Sequence, residues 1–279
     1  MEAEGLRRDL DEVRHRLSTR RRLLSWLITT GATPIVGCDG QAWGIAEHPD
    51  ASPNPDAGST ADASDADAPQ AWCSATPAET GGPFPADSRI GPNVLVQNGI
   101  VRSDIRSSFA LGSATAGGVD LVITLTVVDR TTCRPRPDTV VYLWHCDREG
   151  RYSLYSPGVT DQDYLRGAQQ ADAEGQVTFT TIFPGCYPGR WPHMHFEVFA
   201  DLQAATSSDS TPVFTSQLAF VEHDCRAAYD VSGYEASRSN LQVLSLQTDG
   251  VFRDGFDLQL ATVTGSAGSA LRATFLVAI

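Results

Sequence analysis

The residues with the most chemical potential lie between Trp144 and His195. His193 and His195 stand two apart in HMHFEVF, a run with strand character. Side chains alternate between faces along a strand, so both imidazoles project from one face. Such a pair reads in two ways: one core histidine beside a polar cap, or two ligands for copper, zinc or iron. Immediately upstream, Phe183-Pro184-Gly185-Cys186-Tyr187-Pro188-Gly189-Arg190-Trp191-Pro192 is dense in Pro and Gly, which force a compact loop. That loop keeps Tyr187 and Arg190 close to the two His. Tyr152 follows a Gly turn just past a strand end, in Trp144-His145-Cys146-Asp147-Arg148-Glu149-Gly150-Arg151-Tyr152-Ser153.

Strands must position these groups. Residues 121–128 (LVITLTVV) and 139–144 (TVVYLW) are rich in β-branched residues and flank a Pro- and Asp-bearing loop, DRTTCRPRPD. Further strands are expected at 176–182, 193–199, 216–221, 256–263 and 270–279. Short strands at this spacing, with little helical periodicity, predict an all-β domain over residues 72–279. Its expected form is a two-sheet β-sandwich of immunoglobulin or prealbumin type, with long loops around a metal site.

The chain has 279 residues, 41% of them hydrophobic, which is enough for a sizeable core. All 21 basic residues are Arg, and the formal net charge is −13. That balance argues against binding nucleic acid, which depends on cations meeting phosphates. No apolar run has the roughly 20 residues of a spanning helix.

The first 37 residues combine Arg20-Arg21-Arg22, an apolar stretch from Leu23 to Gly37 and the ending Ile35-Val36-Gly37-Cys38. This pattern resembles a twin-arginine export signal closing in a lipobox. Cys38 is then expected to be lipidated and to hold the protein on a membrane outside the cytoplasm. Removal of residues 1–37 takes away seven Arg and five acidic residues and leaves a charge of −15. Residues 38–71 read as a linker. Within them, 46–70 contain no Leu, Ile, Val, Phe, Tyr or Trp, a composition expected to stay disordered. Export permits disulfides. Beyond Cys38 the cysteines are Cys73, Cys133, Cys146, Cys186 and Cys225, an odd number whose pairing sequence does not give.

The segments around the His pair also resemble a known family, the bacterial intradiol ring-cleavage dioxygenases. The resemblance opens at Thr76-Pro77-Ala78-Glu79-Thr80-Gly81-Gly82-Pro83-Phe84. It continues through Trp144-His145-Cys146-Asp147, Gly150-Arg151-Tyr152-Ser153, Leu165-Arg166-Gly167 and Asp172-Ala173-Glu174-Gly175 to the Tyr187–His195 block. It covers most of residues 73–222. It implies a ferric ion, Fe(3+), held by Tyr152, Tyr187, His193 and His195. It also implies an active-site Arg at Arg190 and an active-site Gln at Gln217. His145 does not correspond to a ligand and is read as structural or adjacent to one.

Elementary chemistry agrees with that donor set. Oxygen anions suit a hard, highly charged ion, and imidazole suits iron. Ionising a phenol at pH 7 costs about 4 kcal/mol, which a bound cation offsets. Arg190 cannot lose its proton and suits the stabilisation of negative charge developing on a substrate. The resemblance implies that a catecholic aromatic and O₂ react to a cis,cis-muconate-type diacid, with the ring opened between its two hydroxylated carbons. Catechol, hydroxyquinol, protocatechuate and larger lignin-derived catechols all remain open as substrates, as does the oligomeric state. The polar stretch 200–213 departs from the family as an extended loop, and no helical dimerisation segment precedes the sandwich. Two other readings compete. One is a non-catalytic exported sandwich binding copper or zinc through the two His. The other is an inactive relative binding aromatics or polysaccharide through Trp144, Tyr155 and Trp191.

Overall fold

The computed structural model describes residues 73–279. The expected signal segment, Cys38, the linker and Trp72 lie outside the described residues. Eight strands form two four-stranded sheets. One sheet has the order β4-β1-β8-β7, from β1 (Asp120–Val128), β4 (Gln176–Ile182), β7 (Thr262–Ser266) and β8 (Ala270–Ala278). The other has the order β3-β2-β5-β6, from β2 (Val140–Trp144), β3 (Arg166–Gln170), β5 (His193–Phe199) and β6 (Phe214–Ala219). β1 and β8 are parallel and every other pair is antiparallel. This is the expected all-β, two-sheet sandwich.

β1 shows why these residues form a strand with one buried face. Leu121, Ile123, Leu125 and Val127 are fully buried, while Val122, Thr124 and Thr126 between them are half-buried. The first set meets Phe275 and Val277 of β8, Phe179 of β4, and Val141, Leu143, Met194, Phe196 and Val198 from the second sheet. Each such side chain contributes about 1.5–3 kcal/mol by leaving water.

The second sheet departs from this pattern, since β2 and β5 are buried on both faces. Their inner residues join the inter-sheet core. Their outer residues, Val140, Tyr142, Trp144 and Phe199, pack in a separate cluster with Val94, Leu95, Ile100, Tyr152 and Leu154. Loops before β1 and after β2 therefore cover the outer face of this sheet. His193 and His195 follow the outward alternation, so the candidate chemistry sits beneath that cover and not between the sheets.

Two expectations are corrected. The strand placed at 256–263 is mostly turn, with β7 beginning only at Thr262. Gly255, at φ 136°, breaks the chain just before it. The 200–213 stretch is not a simple extended loop. It contains helix α1 (Leu202–Thr206), capped by Asp201, whose side chain accepts from the Ala204 amide, and its Ala205 is buried. Helices α2 (Glu222–Tyr229) and α3 (Glu235–Leu241) also occur. None of the described helices is long and apolar enough to cross a membrane. Cys73 pairs with Cys133 in a disulfide, while Cys146, Cys186 and Cys225 are buried free thiols.

Candidate metal centre

Two loops bring the phenols to the His strand. Asp147 organises the first. Its Oδ1 accepts from the Glu149 and Arg151 amides, and its Oδ2 accepts from Arg151 Nε and from Tyr164 Oη at 3.1 Å. Gly150, at φ +84°, packs this turn against the second loop; a Cβ there would stand 3.0 Å from Tyr187 Cβ. Tyr152 and Tyr187 consequently meet edge to face, with ring centroids 5.7 Å apart. Such close approach with a left-handed backbone is available only to glycine at low cost.

The four predicted donors converge. His193 Nε2 lies 3.1 Å from His195 Nε2, 3.3 Å from Tyr187 Oη and 3.4 Å from Tyr152 Oη. Donors bound at about 2.0–2.1 Å to one ion stand about 3–3.4 Å apart when separated by roughly a right angle or slightly more. Among the described residues no group of three or more His, Cys, Asp and Glu could hold a metal. The cluster exists because of its two phenols.

The imidazoles are oriented for this. His193 Nδ1 donates to the Trp191 carbonyl, which leaves the Nε2 lone pair facing the cluster. His195 is stacked on Trp144, with centroids 5.0 Å apart and planes within 7°. Its Nδ1 is buried without a hydrogen-bond partner. Burial, then nearby positive charge, pushes both imidazoles well below their ordinary range. Burial, then Tyr187, pushes the Tyr152 phenol well above 10. In the metal-free protein both imidazoles and the Tyr152 phenol are therefore neutral. The set fits a hard trivalent cation, since two phenols ionising on binding supply two negative charges to a buried site.

Arg190 lies beside the cluster, 2% exposed, with Nη1 3.5 Å from Tyr187 Oη. Its Nη2 donates to Gln217 Oε1 at 2.6 Å, and its Nε to Asp249 Oδ2 at 3.1 Å. Gln217 faces His195 across the β5–β6 register, and its Nε2 donates to the Thr80 carbonyl. Thus Tyr152, Tyr187, His193, His195, Arg190 and Gln217, separated in the chain, all come together.

His145 does not join them. Its Nε2 is 2.7 Å from Thr181 Oγ1 and its Nδ1 2.8 Å from the Cys146 carbonyl, and burial pushes it down to about 4. Trp144 and Trp191 are buried to within 2%, so neither forms part of an exposed aromatic platform. Sequence reading missed Asp249, which carries no signal beyond a Thr-Asp-Gly turn pattern. It also missed Arg166, whose fully buried guanidinium donates to the carbonyls of Phe84, Pro85 and Ser153.

Fold and site together define a two-sheet β-sandwich in which one buried phenol, one half-buried phenol and a pair of buried imidazoles face one point. Residues 92–213 match the sequence family described as Dioxygenase. Over 95 residues the chain is 35% identical to the protocatechuate 3,4-dioxygenase beta chain of Burkholderia cepacia, covering 30% of this chain and 40% of that one. Over 103 residues it is 32% identical to catechol 1,2-dioxygenase 1 of Acinetobacter lwoffii, covering 30% of each. The chain thus matches less than half the length of these curated relatives. An intradiol ring-cleavage dioxygenase from Tetranychus urticae superposes with a TM-score of 0.57 at 27% identity, covering 74% of this chain and 95% of that one. The chain is thus similar to intradiol ring-cleavage dioxygenases, in sequence over residues 92–213 and in fold over 74% of its length.

Proposed function

We propose that this protein is a non-haem Fe(III) dioxygenase that opens a catechol-type ring between its two hydroxylated carbons. The observation that carries this reading is the approach of Tyr152 Oη, Tyr187 Oη and His195 Nε2 to within 3.4 Å of His193 Nε2, beside buried Arg190. A ferric ion held by these four side chains would supply a chelation point for both catechol oxygens and draw electron density from the ring.

The chain's own residues do the rest. Tyr187 is the half-buried phenol of the two, so it is the one placed to leave the cluster and accept a substrate proton at Oη. Arg190 Nη1, 3.5 Å from that oxygen, stabilises negative charge there and on the adjoining substrate. Gln217 fixes the guanidinium from the opposite side. The loop cover excludes bulk water, which strengthens each of these interactions. Both atoms of O₂ enter the diacid, so catechol and O₂ balance the product without an external reductant. Purified, iron-loaded protein given catechol is expected to consume one O₂ per ring and to form a muconate-type absorbance. Oxygen uptake indistinguishable from buffer with each catechol tried would overturn the reading.

We further propose export, with Cys38 as the lipid anchor. The arginine run, apolar stretch and small residues before Cys38 support this, as does the Cys73–Cys133 disulfide, which suits an oxidising compartment. Cys38→Ser is expected to move the protein from the membrane fraction to the soluble one. Arg20 and Arg21 replaced by Lys should block export.

A further inference from the structure

Arg190 is held by a residue that no motif marks and that lies beyond the family-matched stretch 92–213. We propose that Asp249 is the positioning residue of Arg190, an inference that rests on the dioxygenase reading above. Asp249 is fully buried and pairs with Arg190 through Nε–Oδ2 at 3.1 Å.

Asp249 is itself immobilised. The same Oδ2 accepts from the Trp191 amide at 2.7 Å, and Oδ1 accepts from the Val251 and Phe252 amides at 2.8 and 3.2 Å. A carboxylate fixed by three backbone N–H groups cannot follow a wandering guanidinium, so the guanidinium must come to it. Gln217 is fixed likewise, because its Nε2 donates to the Thr80 carbonyl at 2.8 Å while its Oε1 receives Arg190 Nη2. A planar fork anchored at Nε and at Nη2 has its orientation determined. Its remaining nitrogen, Nη1, is thereby directed at Tyr187 Oη. The charge of Asp249 also makes the burial of Arg190 tolerable, since a buried cation without a partner is strongly destabilising. The segment from Asp249 brings Phe252 in as well, whose ring lies 6.0 Å from the Arg190 guanidinium carbon and 6.3 Å from the His193 ring.

Asp249→Asn tests the assignment. With its oxygen kept toward Val251 and Phe252, the new amide N–H₂ would face two other donors, Arg190 Nε and the Trp191 amide. The Arg190 side chain is then expected to swing off Gln217 in crystals of the iron-free protein, a readout independent of activity. In the iron-loaded protein kcat should fall about 100-fold, as for a reacting group misplaced by an ångström. KM should stay within about threefold, and the tyrosinate absorption should be retained. In an Arg190→Met background the same substitution should cost less than about threefold, because its target is gone. An unmoved guanidinium, or an equal loss in both backgrounds, would overturn the proposal. Should Asp249→Asn fail to fold, Asp249→Glu keeps the charge and displaces it by one methylene. It is expected to lower kcat at least about tenfold, and an unchanged kcat would count equally against the proposal. If the wild type shows no ring cleavage, the dioxygenase reading fails, while the crystals of iron-free wild type and Asp249→Asn still decide whether Asp249 places Arg190.

Discussion

Tyr152→Phe removes one phenol oxygen and leaves its ring in place, so its consequences can be worked through in protons. In the metal-free protein the buried Tyr152 phenol sits well above 10 and is protonated at pH 7. His193 and His195, pushed well below their ordinary range, carry no extra proton to lose. Cation binding at neutral pH therefore expels a proton from each ligating phenol and none from the imidazoles. The variant should release one proton fewer per ion than the wild type. By linkage, its log affinity should rise one unit less per pH unit between about pH 6 and 8. Ionising even an unburied phenol at pH 7 costs about 4 kcal/mol, so the phenolate forms only against the cation. At pH 7 the affinity should drop by more than about 100-fold, the upper figure for losing a partner outside the ligand shell. Competition for Fe(III) against nitrilotriacetate, run on both proteins over that pH range, cancels the chelator's own protons in the difference. Equal slopes and equal affinities would refute Tyr152 as a ligand and favour a site built from the two His alone.

Three further outcomes are expected. Asp163 is fully buried and accepts from the Phe109, Ala110 and Leu111 amides at 2.7–2.9 Å, so Asp163→Ala should destabilise by about 2–4 kcal/mol in urea unfolding. Cys73→Ser opens a 60-residue loop and should cost about 4 kcal/mol by chain entropy, with the same loss on reduction of the wild type in a thermal melt. Glu197 is pushed up to about 7 by burial, which outweighs the nearby Arg89. The folded protein then holds this proton where the unfolded chain, near 4.3, has lost it. Stability should decline as pH rises from below about 4.3 to above 7, by on the order of 4 kcal/mol, and Glu197→Gln should remove that decline in denaturant titrations across the range.

The strands were legible where β-branched and aromatic residues concentrate, so β1, β2, β4, β5 and β8 fall within a residue of their expected bounds. β3 was not, because Arg166 and Gly167 carry no strand preference and are placed by tertiary contacts. The Arg166 guanidinium is satisfied by loop carbonyls, and a Cβ on Gly167 would collide with Ile105. The segment 256–263 alternates Phe256, Leu258 and Leu260 like a strand, yet it turns and leaves Leu258 exposed. α2 and α3 are short and polar, and only tertiary packing of Cys225, Tyr229 and Leu241 makes them worth forming. In the site, period two alone puts the two His on one face and leaves open whether they are ligands or core. The phenols were readable only through the family's spacing, since no local pattern announces that two loops will fold onto one strand. The odd cysteine count was readable, and the Cys73–Cys133 pairing was not. Asp249 sits 59 residues beyond its partner Arg190, a separation at which sequence gives no pairing signal.

The most direct measurement is the visible absorption spectrum of the iron-loaded protein, before and after adding catechol under nitrogen. Tyr152 and Tyr187 bound to Fe(III) predict a red-brown tyrosinate band that shifts when catechol binds, with no oxygen present to carry the reaction on. A protein that stays colourless after iron is supplied, or a band that catechol leaves unmoved, would contradict the four-donor centre and direct chelation of the substrate.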